Sequence, residues 1–124
     1  MQNKKFDLED RLVDYASKMI DMAEYLPDTR EGNQLAAQLI RSSYAPAFTY
    51  VQSTVSSKDF VNKMAAILKE LKDCRTGLKL VLKKEMIQPV KRSDIVVKET
   101  DELIAIVGKS LSTSRKNSAS NSPA

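Results

Sequence analysis

From Leu8 onward, apolar residues recur every three or four positions: Leu8, Leu12, Tyr15, Met19, Ala23 and Leu26 line one side of a helix whose opposite side is acidic. Pro27 stops this helix, and Asp28 or Thr29 is placed to cap the next by accepting a bond from its free N–H groups. The second helix carries a stripe of Ala36, Ile40, Tyr44, Ala47, Val51 and Val55, with Leu35 and Leu39 beside it. A polar turn at Ser56-Ser57 precedes Asp59, whose charge suits a helix N-terminus. The third stripe is Phe60, Met64, Ile67, Leu68, Leu71, Cys74, Leu78 and Leu82. Gln88-Pro89 interrupts the chain, and Ser93-Asp94 opens a fourth helix with Val96, Val97, Leu103, Ile104, Val107 and Leu111 toward the core.

This spacing predicts helices over about 7–26, 31–55, 58–87 and 93–111. The remaining stretch, 112–124, lacks apolar anchors and is expected to be disordered. No alternating strand pattern and no Asn-Gly or Asp-Gly hairpin signal occurs. The fold class is therefore all-α. Short connections favour antiparallel neighbours, so the expected architecture is an up-down-up-down four-helix bundle in one domain, followed by the tail.

The second helix has unusual contents. Between Arg41 and Lys58 lie a proline, small residues and no charge. A proline inside a helix removes one hydrogen bond and clashes with the preceding turn, at about 3 kcal/mol. Pro46 leaves the Ser42 carbonyl without its partner, while Ser42, Ser43, Ala45 and Ala47 let another backbone approach closely. Arg41, Ser42, Ser43, Tyr44, Pro46, Phe48 and Tyr50 thus mark a kink lying deep in the bundle or at a subunit interface. Tyr44, Phe48 and Tyr50 beside Arg41 also fit base stacking, although aromatics at helical spacing more often belong to a core.

Histidine is absent from the 124 residues, which removes Ser-His-Asp and Cys-His nucleophilic systems, His-ligated zinc and Glu-x-x-His di-iron sites. The single cysteine, Cys74, lies on the apolar stripe and reads as a core residue. Asp10, Asp14 and Asp21 share the polar face of helix one, where solvation argues against perturbed acid–base groups. The chain is expected to be no enzyme and to need no cofactor, metal or small-molecule substrate. No apolar run approaches the ~18–20 residues that span a bilayer, and MQNKKFDLEDR turns acidic where a signal peptide turns apolar. The expectation is a cytoplasmic protein with no membrane partner.

Formal net charge is +4, with a pI near 9.2. Its distribution matters more than its size. At about 100° per residue, Lys58, Lys69, Lys72, Lys79 and Lys83 fall within one quadrant of helix three, with Arg75 at its edge. Such a stripe can track a phosphate backbone of RNA or DNA. The alternatives are a solvated face and an electrostatic match to the acidic helix one of a neighbouring subunit.

LPDTREGNQLAAQLIRS (26–42) and KDFVNKMAAILKELKD (58–73), with FDLEDRLVDYA before them, resemble the bacterial four helix bundle protein family, whose founding members are encoded by intervening sequences within large-subunit ribosomal RNA genes. The resemblance runs from Phe6 to Ile87 through LP-x-T-x-x-G, Q-L-x-R-S, P-A-x-x-Y and D-F-x-x-K. Thr49, Val51 and Gln52 depart from the asparagine, glycine and glutamate usual in that signature. The resemblance implies an up-and-down bundle that assembles as a homo-oligomer, commonly a homopentamer, with no established enzymatic activity. It also implies a fold similar to the accessory protein of diversity-generating retroelements, which binds nucleic acid and a reverse transcriptase. The leading expectation is a non-enzymatic oligomer that binds nucleic acid, RNA before DNA, through helix three. The competing one is a structural or protein-interaction module with no nucleic-acid role.

Overall fold

The computed structural model describes residues 7–52 and 56–121. Four helices form: α1 Leu8–Ala23, α2 Arg30–Val51, α3 Ser57–Lys83 and α4 Asp94–Asn121, the last entered through a short 3₁₀ turn, Val90–Ser93. No strand occurs among the described residues. Each helix packs on its sequence neighbours, and α1 meets α4 along a shorter seam that closes the ring. The protein is an all-α, antiparallel four-helix bundle.

Helix starts follow the capping residues. Asp7, Thr29 and Ser56 each accept a bond from the backbone N–H three residues on, at 3.2, 3.0 and 3.1 Å, filling donors that the first turn leaves empty. The core stripes of α1, α3 and α4 lie where the spacing places them: Leu12, Tyr15 and Met19 meet Ile67, Leu71, Cys74, Leu103 and Val107 in one cluster. Within it Tyr15 bonds Thr100 Oγ1 at 2.6 Å, and the Thr100 hydroxyl donates to the Val96 carbonyl at 2.7 Å. Two polar side chains are thereby satisfied inside the core. At the edge of the same seam the Arg11 guanidinium forks onto Glu99 (2.7 and 3.1 Å) and Glu102 (2.7 Å), tying α1 to α4.

Helix α2 departs from expectation in rotation. Its buried side is Leu39, Ser42, Ser43, Pro46 and Ala47, whereas Ile40 is half-buried and Tyr44 and Val51 are exposed. The bulky stripe was the obvious core face, but close packing against α1 and α3 selects the small residues instead. Leu39 shows how tight the fit is, since a methyl group at Gly77 of α3 would lie 2.7 Å from its Cδ2. The winding passes through Pro46 without interruption.

Three helices end earlier than the apolar spacing predicts. α1 stops at Ala23 rather than Leu26, and the N–H groups of Tyr25 and Leu26 close the turn on the Met22 and Ala23 carbonyls at 3.0 and 3.1 Å. α2 stops at Val51, and Val55 lies outside the described residues. α3 stops at Lys83 because Glu85 turns into the left-handed region at φ 53°. The N–H groups of Glu85 and Met86 then reach back to the carbonyls of Leu82 (3.1 Å) and Val81 (3.0 Å), a Schellman closure that usually uses glycine. Ile87 is fully buried all the same, from a segment that is no longer helical. α4 runs past the expected boundary. Its last core residue is Leu111, and residues 112–117 bury no side chain, yet the winding continues to Asn121.

Candidate nucleic-acid interface

α3 turns its apolar stripe inward, and the 3.6-residue period therefore carries every residue a half-turn away to the surface. Lys58, Lys69, Lys72, Lys79 and Lys83 are exposed on that outer face, and Arg75 is half-buried at its margin. Lys69 pairs with Asp73 one turn on, at 3.3 Å. Among the described residues Lys58, Lys72, Arg75, Lys79 and Lys83 carry no ion pair. Lysine ammonium groups so placed offer point charges to an anion rather than forks that read base edges.

Two basic residues were missed by pattern alone. Lys63 is buried, and its ammonium reaches the carbonyl oxygens of Tyr50, at 3.4 Å, and Gln52, so it caps the C-terminus of α2 from the neighbouring helix. Only its place on the α2-facing side of α3, away from the basic quadrant, hints at this. Arg115 stands on the helical continuation of α4, where a tail without order was expected, and it lines a shallow groove with Ala65, Leu68, Lys69, Lys72, Asp73 and Leu111.

The structure divides the candidate residues of α2 into two sets. Ser42, Ser43 and Pro46 face inward. The Ser43 hydroxyl donates to the Ile40 carbonyl at 2.8 Å, and the Gln38 amide donates to Ser42 Oγ at 3.0 Å. Tyr50 is half-buried against the core. Arg41, Tyr44 and Phe48 face outward; Arg41 donates to Gln38 Oε1 at 2.9 Å, and the two rings meet edge to face at 5.6 Å. Phe48 is 64% exposed, Val51 51% and Tyr44 40%. With Ala37 and Ile40 they form an apolar stripe on the outside of the bundle. At the three altered signature positions, the Thr49 hydroxyl donates to the Glu70 carboxylate (3.1 and 3.3 Å), Val51 is exposed, and the Gln52 carbonyl accepts from Lys63.

Burial holds the Glu70 carboxyl above its usual range, with the Thr49 bond opposing it. Asp10 is also raised, contrary to the expectation of an unperturbed face: it hydrogen-bonds to Asp7 and shares its like charge, at full exposure. Burial pushes the Cys74 thiol up to about 11, which keeps it protonated and unreactive. Among the described residues no group of three His, Cys, Asp or Glu side chains could hold a metal ion, and no helix is long and apolar enough to cross a membrane.

The fold has a solved counterpart. A protein of unknown function from the S23 ribosomal protein family of Bacteroides thetaiotaomicron superposes with a TM-score of 0.74 at 18% identity, covering 85% of this chain and 98% of that one. At this identity the likeness shows a shared fold. No family model matches the chain, and no curated protein does.

Proposed function

We propose that this protein is a non-enzymatic, self-associating helical bundle of the cytoplasm that binds nucleic acid, RNA in preference to DNA, through the outer face of α3. One observation carries the reading: Lys58, Lys72, Arg75, Lys79 and Lys83 share that face without carboxylate partners among the described residues. A row of unpaired cations on a rigid helix attracts a polyanion and releases its counterions on contact. The α3 face spans about 37 Å from Lys58 to Lys83 at 1.5 Å per residue, long enough to meet several successive phosphates. The resemblance of 26–42 and 58–73 to the intervening-sequence family, and a fold counterpart described as belonging to a ribosomal protein family, favour RNA.

Self-association is supported by Tyr44, Phe48 and Val51, three large apolar side chains spaced along one outward face. Water-exposed stripes of this kind usually mark a protein interface. The same stripe supports the second reading, a protein-interaction module without a nucleic-acid role.

Fluorescence anisotropy with a labelled structured RNA separates the two. The wild-type protein is expected to bind at about 50 mM salt and to release steeply toward physiological salt, losing about 0.7–0.9 of log–log slope for each phosphate contact removed. Changing Lys69, Lys72, Lys79 and Lys83 together to glutamine is expected to abolish most affinity while the bundle stays folded. No binding by the wild type leaves the interaction-module reading in place, and full binding by the quadruple variant removes the outer face of α3 as the interface.

A further inference from the structure

The α3–α4 groove differs from the rest of the basic face in having an apolar floor. Ala65 and Leu68 of α3 and Leu111 of α4 form the floor, and Lys69, Lys72 and Arg115 stand around it, in a space of about 300 Å³. The charge around the groove has one sign apart from Asp73, which Lys69 already engages. α4 contributes no acid beyond Glu102, and Arg115 has no ion pair among the described residues. α3 contributes no acid between Asp59 and Glu70, and Glu70 is turned to the α2 seam, where Thr49 holds it.

A duplex cannot use such a floor, because its bases are stacked inside and only its backbone meets the surface. An unpaired nucleotide can, because a splayed base lays an apolar face on the protein while its flanking phosphates reach the cations. Arg115 adds what the lysines lack, a planar fork that matches phosphate oxygens in two parallel bonds.

We infer that this groove is a seat for one nucleotide of a single strand, the base or ribose against Ala65, Leu68 and Leu111 and its phosphates on Lys69, Lys72 and Arg115. The inference rests on the nucleic-acid reading above and deepens it by naming the strand form and the residue from α4. It also gives the helical winding beyond Leu111 a use, since that winding is what carries Arg115 to the groove.

The test titrates the full-length wild type, Arg115→Gln, Ala65→Glu and the quadruple lysine variant against a labelled single strand and its duplex, with circular dichroism confirming the fold of each. Arg115→Gln is expected to weaken single-strand binding about tenfold and to lower the salt slope by about 0.7, with duplex binding changed less than twofold. Ala65→Glu places a carboxylate in the groove and is expected to abolish the single-strand preference. If Arg115→Gln leaves affinity and slope unchanged while the quadruple variant loses binding, the groove is not the seat and the nucleic-acid reading stands. Equal losses on strand and duplex overturn the single-strand assignment, and no binding by the wild type overturns both readings.

Discussion

Replacing Gly32 by alanine is expected to destabilise the bundle by about 0.5–3 kcal/mol, even though alanine is the better helix former by about 1 kcal/mol. The added methyl group would overlap the Pro27 carbonyl oxygen and lie 3.0 Å from both the Pro27 carbonyl carbon and Thr29 Oγ1. Both obstacles belong to the turn itself, so relief requires moving backbone. Moving it lifts Thr29 from the Gly32 N–H that it caps at 3.0 Å, a loss of about 0.5–2 kcal/mol. The bond-angle and torsion strain of the displaced turn adds about 1–2 kcal/mol more, and together these exceed the propensity gain. Two other glycines serve as controls. At Gly77 the methyl group meets only the Leu39 side chain, 2.7 Å from Cδ2, and shifting that buried side chain costs about 1 kcal/mol, which offsets the propensity gain of about 1 kcal/mol, so the change is expected to be near zero. At Gly108 nothing lies within 4 Å, and alanine is expected to stabilise by up to about 1 kcal/mol. Thermal denaturation followed by far-ultraviolet circular dichroism measures all three, with about 4–6 °C of Tm expected per kcal/mol. A Gly32→Ala variant as stable as the wild type, or less affected than Gly77→Ala, would refute the close approach of α2 to the turn.

Glu85→Gly is expected to stabilise by about 1 kcal/mol, since glycine occupies the left-handed C-terminal position of α3 without the side-chain penalty that Glu85 bears at φ 53°; thermal melts check it. Arg11→Gln leaves the half-buried Glu99 without its fork and is expected to cost about 1–3 kcal/mol, less at high salt. Pro46→Ala restores a donor for the Ser42 carbonyl at the loss of some buried ring area, so helicity is expected to rise; light scattering on the same sample reads whether subunit association changes with it. The Glu70 carboxyl is raised in the fold, so its contribution to stability falls as pH rises from the ordinary glutamate range, about 4.3, through the raised folded value. Glu70→Gln removes that slope, and urea titrations across this range should show the variant gaining on the wild type as pH increases.

The helix count, the capping residues and the core stripes of α1, α3 and α4 were legible because one periodicity and one hydrophobic side decide each of them. α2 was not, because it has two candidate sides. Hydrophobic weight points to Ile40, Tyr44 and Val51, whereas the close approach at Leu39 and Gly77 leaves Leu39, Ser42, Ser43, Pro46 and Ala47 on the inner side, the deep placement that the small residues of 42–47 offer as one of two alternatives. Interhelical distance is a property of the assembled bundle that no single segment encodes. The end of α3 was misplaced for a similar reason: its stop is a glutamate in a glycine conformation, and Ile87 continues the apolar period from outside the helix. The basic quadrant of α3 was readable from spacing, since a face opposite a clear core stripe must be exposed. Arg115 was not, because its segment has no apolar pattern and its helical winding continues that of α4 from the packed part of the bundle.

Contact between the outer face of α3 and nucleic acid is read residue by residue in an NMR titration of the full-length protein with a short structured RNA at low salt. Amide and lysine side-chain signals from Lys58 through Lys83 on the outer face are expected to shift together, with Arg115 among them, and added salt is expected to reverse the shifts. Signals from the acidic face of α1 should stay in place. Perturbation confined to the apolar stripe of α2, or no perturbation at any residue at about 50 mM salt, would contradict this contact.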